Sequence, residues 1–167
     1  MTRALYPGSF DPVTFGHVDI ATRAAQIFEH LTVAIYETPN KELAFSAQER
    51  VEMMREALSE IPNIDVLSYN GLTVDFARHI GAKVLVRGLR VIYDFELEYQ
   101  MALTNQKLGP DIDTVCLMTS LEYAFVSSSL VKEIFRAGGC IDGLVPPHVI
   151  QALGQRFGRG ADQAHTV

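Results

Sequence analysis

Five short apolar runs, near residues 3–7, 31–36, 64–69, 84–87 and 114–118, alternate along this chain with stretches of helical periodicity. Runs of that length and apolarity suit strands covered on both faces, and each interval leaves room for a crossover helix, so the pattern calls for a parallel sheet. The expected fold is α/β: a Rossmann-like, doubly wound, five-stranded parallel sheet with helices on both faces. A helix over 16–29 sets Ile20, Ala24, Ile27 and Phe28 on one stripe, and a helix over 47–60 opens with the capping box Ser46-x-x-Glu49. The 167 residues fit one domain, assigned to 1–157. Residues 158–167 are small and polar and are expected to form a disordered tail, in which His165 has no role.

Composition narrows the function. A net charge of −6 argues against broad nucleic-acid binding, which needs a basic face, so any positive site must be local. No apolar run approaches the roughly 18 residues that span a membrane, and the N-terminus lacks a charged-then-apolar signal. A cytoplasmic protein is expected. Cys116, in an apolar strand, reads as core, and with Cys140 it makes neither a disulfide framework nor a metal-ligand spacing.

Chemistry concentrates in three segments. Tyr6-Pro-Gly-Ser-Phe-Asp-Pro12 leads from the first strand through Thr14-x-Gly16-His17 into a helix. Pro7 and Pro12 stiffen this loop, Gly8 is expected to turn it with positive φ, and the helix N-terminus offers free N–H groups to an anion. His17, in the first turn, can donate to the same anion or be only a surface or capping residue. The segment is neither a P-loop nor a G-x-G-x-x-G fingerprint. After the fifth strand, Phe125-Val-Ser-Ser-Ser-Leu130 opens another helix with hydroxyl and backbone donors; one serine, Ser129 or a neighbour with Glu133 close by, would suffice for capping. Between them, Arg87-Gly-Leu-Arg90 ends the fourth strand, where ligands bind open α/β sheets and guanidinium groups suit phosphate.

In this order the segments resemble the bacterial phosphopantetheine adenylyltransferases of the T/H-x-G-H nucleotidyltransferase superfamily, over about residues 3–155. Asn40-Lys41, Glu49-Arg50-Val51 and Asp94-Phe95-Glu96 belong to the match. The resemblance implies transfer of the adenylyl group of ATP to 4′-phosphopantetheine, giving dephospho-coenzyme A and pyrophosphate, by direct attack of the acceptor phosphate. It implies His17 and Lys41 as catalytic residues, with His17 donating to the α-phosphate in the transition state. It places Ser9, Phe10, Gly88, Leu89, Arg90, Glu98, Tyr123, Ala124, Phe125, Val126, Ser127, Ser128 and Ser129 around ATP. Ser9, Lys41, Thr73 and Arg87 fall to the acceptor. Mg²⁺ is implied as arriving with ATP, with no dedicated protein cage, and a homohexamer with coenzyme A as feedback inhibitor is implied as well.

Some positions read differently from their residues alone. Asn40-Lys41-Glu42 after a strand is usually a solvated turn, and Glu98 favours a helix-surface ion pair over a triphosphate contact. Ala124 stands where the family often carries serine. A nucleotidyltransferase acting on nicotinamide mononucleotide or glycerol phosphate is the alternative enzyme, and a non-catalytic ATP sensor is the alternative from another class.

Overall fold

The structure, a computed structural model, describes residues 2–158. Strands β1 (Arg3–Gly8), β2 (His30–Tyr36), β3 (Ile64–Tyr69), β4 (Val84–Leu89) and β5 (Asp113–Met118) form one parallel sheet in the order β3-β2-β1-β4-β5. Helices α1 (Phe15–Ile27), α2 (Ala47–Ala57), α3 (Thr73–His79), α4 (Ile92–Leu108), α5 (Ser128–Arg136) and α6 (Pro147–Phe157) cover it. The expected α/β architecture is the one observed. Gly158 closes α6 in the left-handed conformation, and the remainder of the expected tail, 159–167, lies outside the described residues. Among the described residues no helix is long and apolar enough to cross a membrane.

Side chains alternate across the strands and so build two cores. One gathers Ala4, Tyr6, Leu31, Val33, Ile35, Val66 and Val86 against α1, α2, α5 and α6. The other, smaller, holds Leu5, Ala34, Leu85, Val74 and Ala77 on the side of α3. Sheet order reverses between β1 and β4, which makes their carboxyl ends the switch point where such folds bind ligands. The ladder there is short: Ala4 and Leu5 pair with Val84 and Leu85, and the strands then part, since Pro7 has no N–H to extend it. The opening lies between Gly8 and Gly88.

Three expectations need correction. Gly8 does not turn the chain with positive φ; it ends β1, and the left-handed residue is Phe10, at φ 46°. Gly8 is required for space, because a Cβ there would lie 2.7 Å from the buried Phe10 ring. Ile27 does not belong to the buried stripe. The face of α1 toward the sheet runs through Ile20, Ala21, Ala24 and Ala25, rotated so that Ile27 is left 61% exposed at the helix end. Cys116 is exposed and not core, because β5 is an edge strand with little helix cover. The capping box at Ser46 and Glu49 forms as expected.

Candidate active site

Two cavities meet at the carboxyl ends of β1 and β4. The first, about 290 Å³, is lined by the β1–α1 loop, the first turns of α1 and α5, and the end of β4. The second, about 310 Å³, runs beside it between the β2–α2 loop, Tyr69, Thr73 and the α4 residues Met101 and Asn105. Pro7, Gly8, Ser9, Lys41 and Arg87 line both. A molecule in either cavity therefore meets the same strip of loop, cation and guanidinium.

His17 stands at the N-terminus of α1. Thr14 is the N-cap, and its backbone N–H donates to His17 Nδ1 at 3.0 Å while its hydroxyl lies 3.2 Å from the same atom. A backbone N–H only donates, so Nδ1 is unprotonated and the neutral ring carries its proton on Nε2. The Phe10 ring meets the imidazole edge to face, with centroids 4.9 Å apart. Burial, followed by the charges of Arg90, Lys41 and Arg87, lowers the imidazole pKa to about 3. The choice between capping and donating is thus no choice: Nδ1 caps, and Nε2–H remains to donate.

The three serines divide the work that one could have done. Ser127 caps α5 by accepting from the Leu130 N–H at 3.1 Å, and Ser128 donates to the Pro12 carbonyl at 2.7 Å. Ser129 is exposed at the cavity wall, and its hydroxyl has no protein partner among the described residues. Glu133 takes no part in the cap, contrary to the capping-box reading.

Both arginines are held by carboxylates of α4. Arg87 makes a two-pronged pair with Glu98, each contact 2.6 Å, and donates to the Pro7 carbonyl. Arg90 pairs with Asp94 at 3.0 and 3.2 Å and donates to the Val126 carbonyl. The ion-pair reading of Glu98 is what the geometry shows, but the pair is partly buried and lies on the cavity wall, not on the outer helix surface. Lys41 differs. Its ammonium makes no ion pair among the described residues although it lies between the two cavities, and partial burial with the nearby Lys132 and Arg50 charges holds its pKa below the ordinary lysine value against the pull of Asp11.

Of the residues expected at the nucleotide, Ser9, Phe10, His17, Gly88, Arg90, Glu98, Val126 and Ser127 to Ser129 line the first cavity. Leu89, Tyr123, Ala124 and Phe125 do not; Phe125 is largely exposed and Tyr123 falls in a 3-10 turn at Leu121–Tyr123. Thr73 lines the second cavity, its hydroxyl 2.9 Å from that of Tyr69. Sequence reasoning assigned no role to Thr14, Asp94, Met101 or Asn105, which line the cavities, or to Asp11 and Arg50, which brace them. Thr14 alone had a usable signal, the N-cap position before His17. Among the described residues no cluster of three or more histidine, cysteine, aspartate or glutamate side chains is placed to hold a metal ion.

Residues 5–134 match the cytidylyltransferase-like family. Proteins named phosphopantetheine adenylyltransferase align over nearly the whole chain. That of Desulforudis audaxviator is 51% identical over 95% of this chain and 97% of its own. Those of Roseiflexus sp. (strain RS-1) and Carboxydothermus hydrogenoformans are each 52% identical, over 95% and 94% of this chain and 99% and 97% of theirs. The crystal structure of a lipopolysaccharide core biosynthesis protein from Thermoplasma volcanium superposes with a TM-score of 0.51 at 17% identity, covering 72% of this chain and 97% of that one, a likeness of fold alone.

Proposed function

The chain belongs to the phosphopantetheine adenylyltransferases within the cytidylyltransferase-like family, and from that we infer that its two cavities take ATP and 4′-phosphopantetheine. The protein is a nucleotidyltransferase of coenzyme A biosynthesis that moves the adenylyl group onto the acceptor phosphate, releasing pyrophosphate and dephospho-coenzyme A. The observation that carries the assignment of cavities is the shared wall of Ser9, Lys41 and Arg87, with an ammonium between two spaces that no carboxylate pairs among the described residues.

In this reading the acceptor phosphate is itself the nucleophile. Its oxygen bonds to the α-phosphorus as the bond to the pyrophosphate oxygen breaks, so no protein nucleophile or strong base is needed. The protein aligns two anions and stabilises the charge that gathers on the α-phosphate. His17 Nε2–H donates to that group, Ser129 and the α5 N-terminus hold the outer phosphates, and Lys41 spans the acceptor phosphate and the reacting centre. Mg²⁺ enters as part of the nucleotide substrate: Asp94 and Glu98, the carboxylates of the first cavity, are each engaged by an arginine and build no cage. Coenzyme A, which carries the same pantetheine arm, competes for the second cavity. The reaction belongs in the cytoplasm, where ATP is at hand and Cys116 and Cys140, both free, stay reduced.

Lys41→Ala is expected to raise the acceptor KM and lower kcat together, each by about tenfold or more. Unchanged values for both in steady-state kinetics would return Lys41 to a solvated turn. The assembly is a homohexamer in this reading. Its support is the apolar surface left open on α4 and around β5, where Phe95, Leu97, Leu103, Met118, Leu121 and Phe125 are each at least half exposed. A monomer mass by light scattering would reject the assembly.

The deciding experiment incubates the purified protein with Mg²⁺-ATP and 4′-phosphopantetheine, with nicotinamide mononucleotide and glycerol phosphate as parallel acceptors. Pyrophosphate and dephospho-coenzyme A are expected with phosphopantetheine only. Turnover of another acceptor would keep the chemistry and discard the substrate, and ATP binding without pyrophosphate release would favour a sensor.

A further inference from the structure

Asp11 lies in the loop between Ser9 and Thr14, is fully buried, and lines neither cavity. Its carboxylate accepts from the backbone N–H groups of Ala44, at 2.9 and 3.2 Å, and Phe45, at 2.9 Å. Those residues end the loop that carries Lys41. The same carboxylate receives Lys132 Nζ at 2.7 Å, from one turn beyond Ser128 on α5. Lys132 is itself mostly buried and also lines neither cavity. Ser128 fastens the same helix to Pro12. One carboxylate therefore joins the β1–α1 loop, the Lys41 loop and the helix that begins with the three serines.

We propose that Asp11 and Lys132 are positioning residues that lock the acceptor-side loop bearing Lys41 to the triphosphate-side helix α5, and so fix the distance between the two bound substrates. The physical reason is the geometry of the pair. A buried carboxylate with three charge-assisted or backbone donors has one low-energy position; two of these donors belong to the Lys41 loop and the third to α5, so the carboxylate ties those two walls together. Displacing one wall by even about 1 Å misaligns an in-line transfer while leaving each substrate its own contacts. Removing Asp11 would also take away the nearby carboxylate that pairs with Lys132 and offsets its repulsion of Lys41.

The inference rests on the two-substrate reading of the cavities. It is tested in the full chain by Asp11→Asn, Lys132→Met and the double variant, with Lys132→Arg as the conservative control. Steady-state kinetics with Mg²⁺-ATP and 4′-phosphopantetheine give kcat and both KM values, and calorimetry gives ATP affinity. Each single variant is expected to lose on the order of 10- to 100-fold in kcat with less than about threefold change in ATP affinity. The double variant should be no worse than the poorer single, since the pair acts as one unit, and Lys132→Arg should recover most of the loss. If Lys132→Met does not fold because it strands a buried carboxylate, the double variant, which removes both charges, still decides. Folded variants with lower melting temperature but wild-type kcat would make the pair merely structural and overturn the proposal, as would losses that multiply in the double variant. Absence of turnover in the wild-type chain would instead overturn the reading of the cavities, and this inference with it.

Discussion

Replacing His17 with alanine lowers kcat by about 10²–10³-fold and leaves ATP affinity close to wild type, as loss of one donor that acts mainly in the transition state does. The ring is fixed before substrate arrives: the Thr14 N–H occupies Nδ1, Phe10 buttresses one side, and Nε2–H is the donor left on a residue that lines the cavity the nucleotide is assigned to. A preset donor requires no reorganisation as charge builds on the α-phosphate. His17→Gln keeps a donor without the ring's geometry and should fall between wild type and alanine. Normal turnover in His17→Ala would remove the residue from the mechanism. A second readout needs no substrate. The imidazole pKa is about 3 in the fold against an ordinary 6.5, so between these values the unfolded chain binds more protons. Stability linked to His17 is then complete above about pH 6.5 and is lost as pH falls toward about 3. Between about pH 7 and pH 5 wild type should lose more stability than His17→Ala. Parallel stability curves would show that the ring is not held neutral.

Arg50→Met should cost about 3–5 kcal/mol in a denaturant titration, as expected when several buried carbonyls lose one shared charged donor. Arg50 has no exposed surface and aims its guanidinium at main-chain carbonyls: Nε at Phe45 and Ser46, Nη1 at Ser9 and Tyr36, and Nη2 at Glu37. These carbonyls belong to the β1–α1 loop, the end of β2 and the start of α2. Methionine fills much of the volume, but it takes the side-chain donor away from these carbonyls, and although Ser46 keeps the backbone N–H of residue 50, each buried carbonyl left without another donor costs about 1–3 kcal/mol. Arg50→Lys keeps the charge, yet a compact ammonium cannot span the fork, so it should recover little. Because Ser9 is among the acceptors, the variants should also bind both substrates more weakly. A denaturation midpoint equal to wild type for Arg50→Met would mean that water satisfies these carbonyls and that the network does not brace the site.

The two residues were legible to different degrees. His17 stands in a short local motif, and the Thr14 cap that orients it lies three residues away, so sequence alone reached both its place and its alternatives. Arg50 stood in plain sight in the Glu-Arg-Val segment without a role, because nothing in the spacing of α2 says where a guanidinium will find carbonyls. Glu98 shows the same limit. Its ion pair was anticipated as a surface contact, whereas its partner is Arg87 at the cavity wall. Gly8 was given the turn that Phe10 makes, since a Pro-Gly pair signals a turn locally while the demand on Gly8 comes from a ring packed over it.

What the amino-acid sequence determined by itself is the alternation of strands and helices, the parallel sheet this requires, and the gathering of hydroxyls, arginines and a histidine at strand ends and helix starts. Periodicity, capping and turn chemistry act over a few residues, so they can be read one residue after another. Only the tertiary structure decided which donors are spent and which stay free. Arg50 reaches Ser9 across 41 residues, Arg87 reaches Pro7 across 80, and Lys132 reaches Asp11 across 121. Lys41, with no such partner among the described residues, keeps its ammonium unspent where the two cavities meet. Whether a charge is satisfied depends on what the fold brings within about 3 Å of it, and no local pattern records that distance.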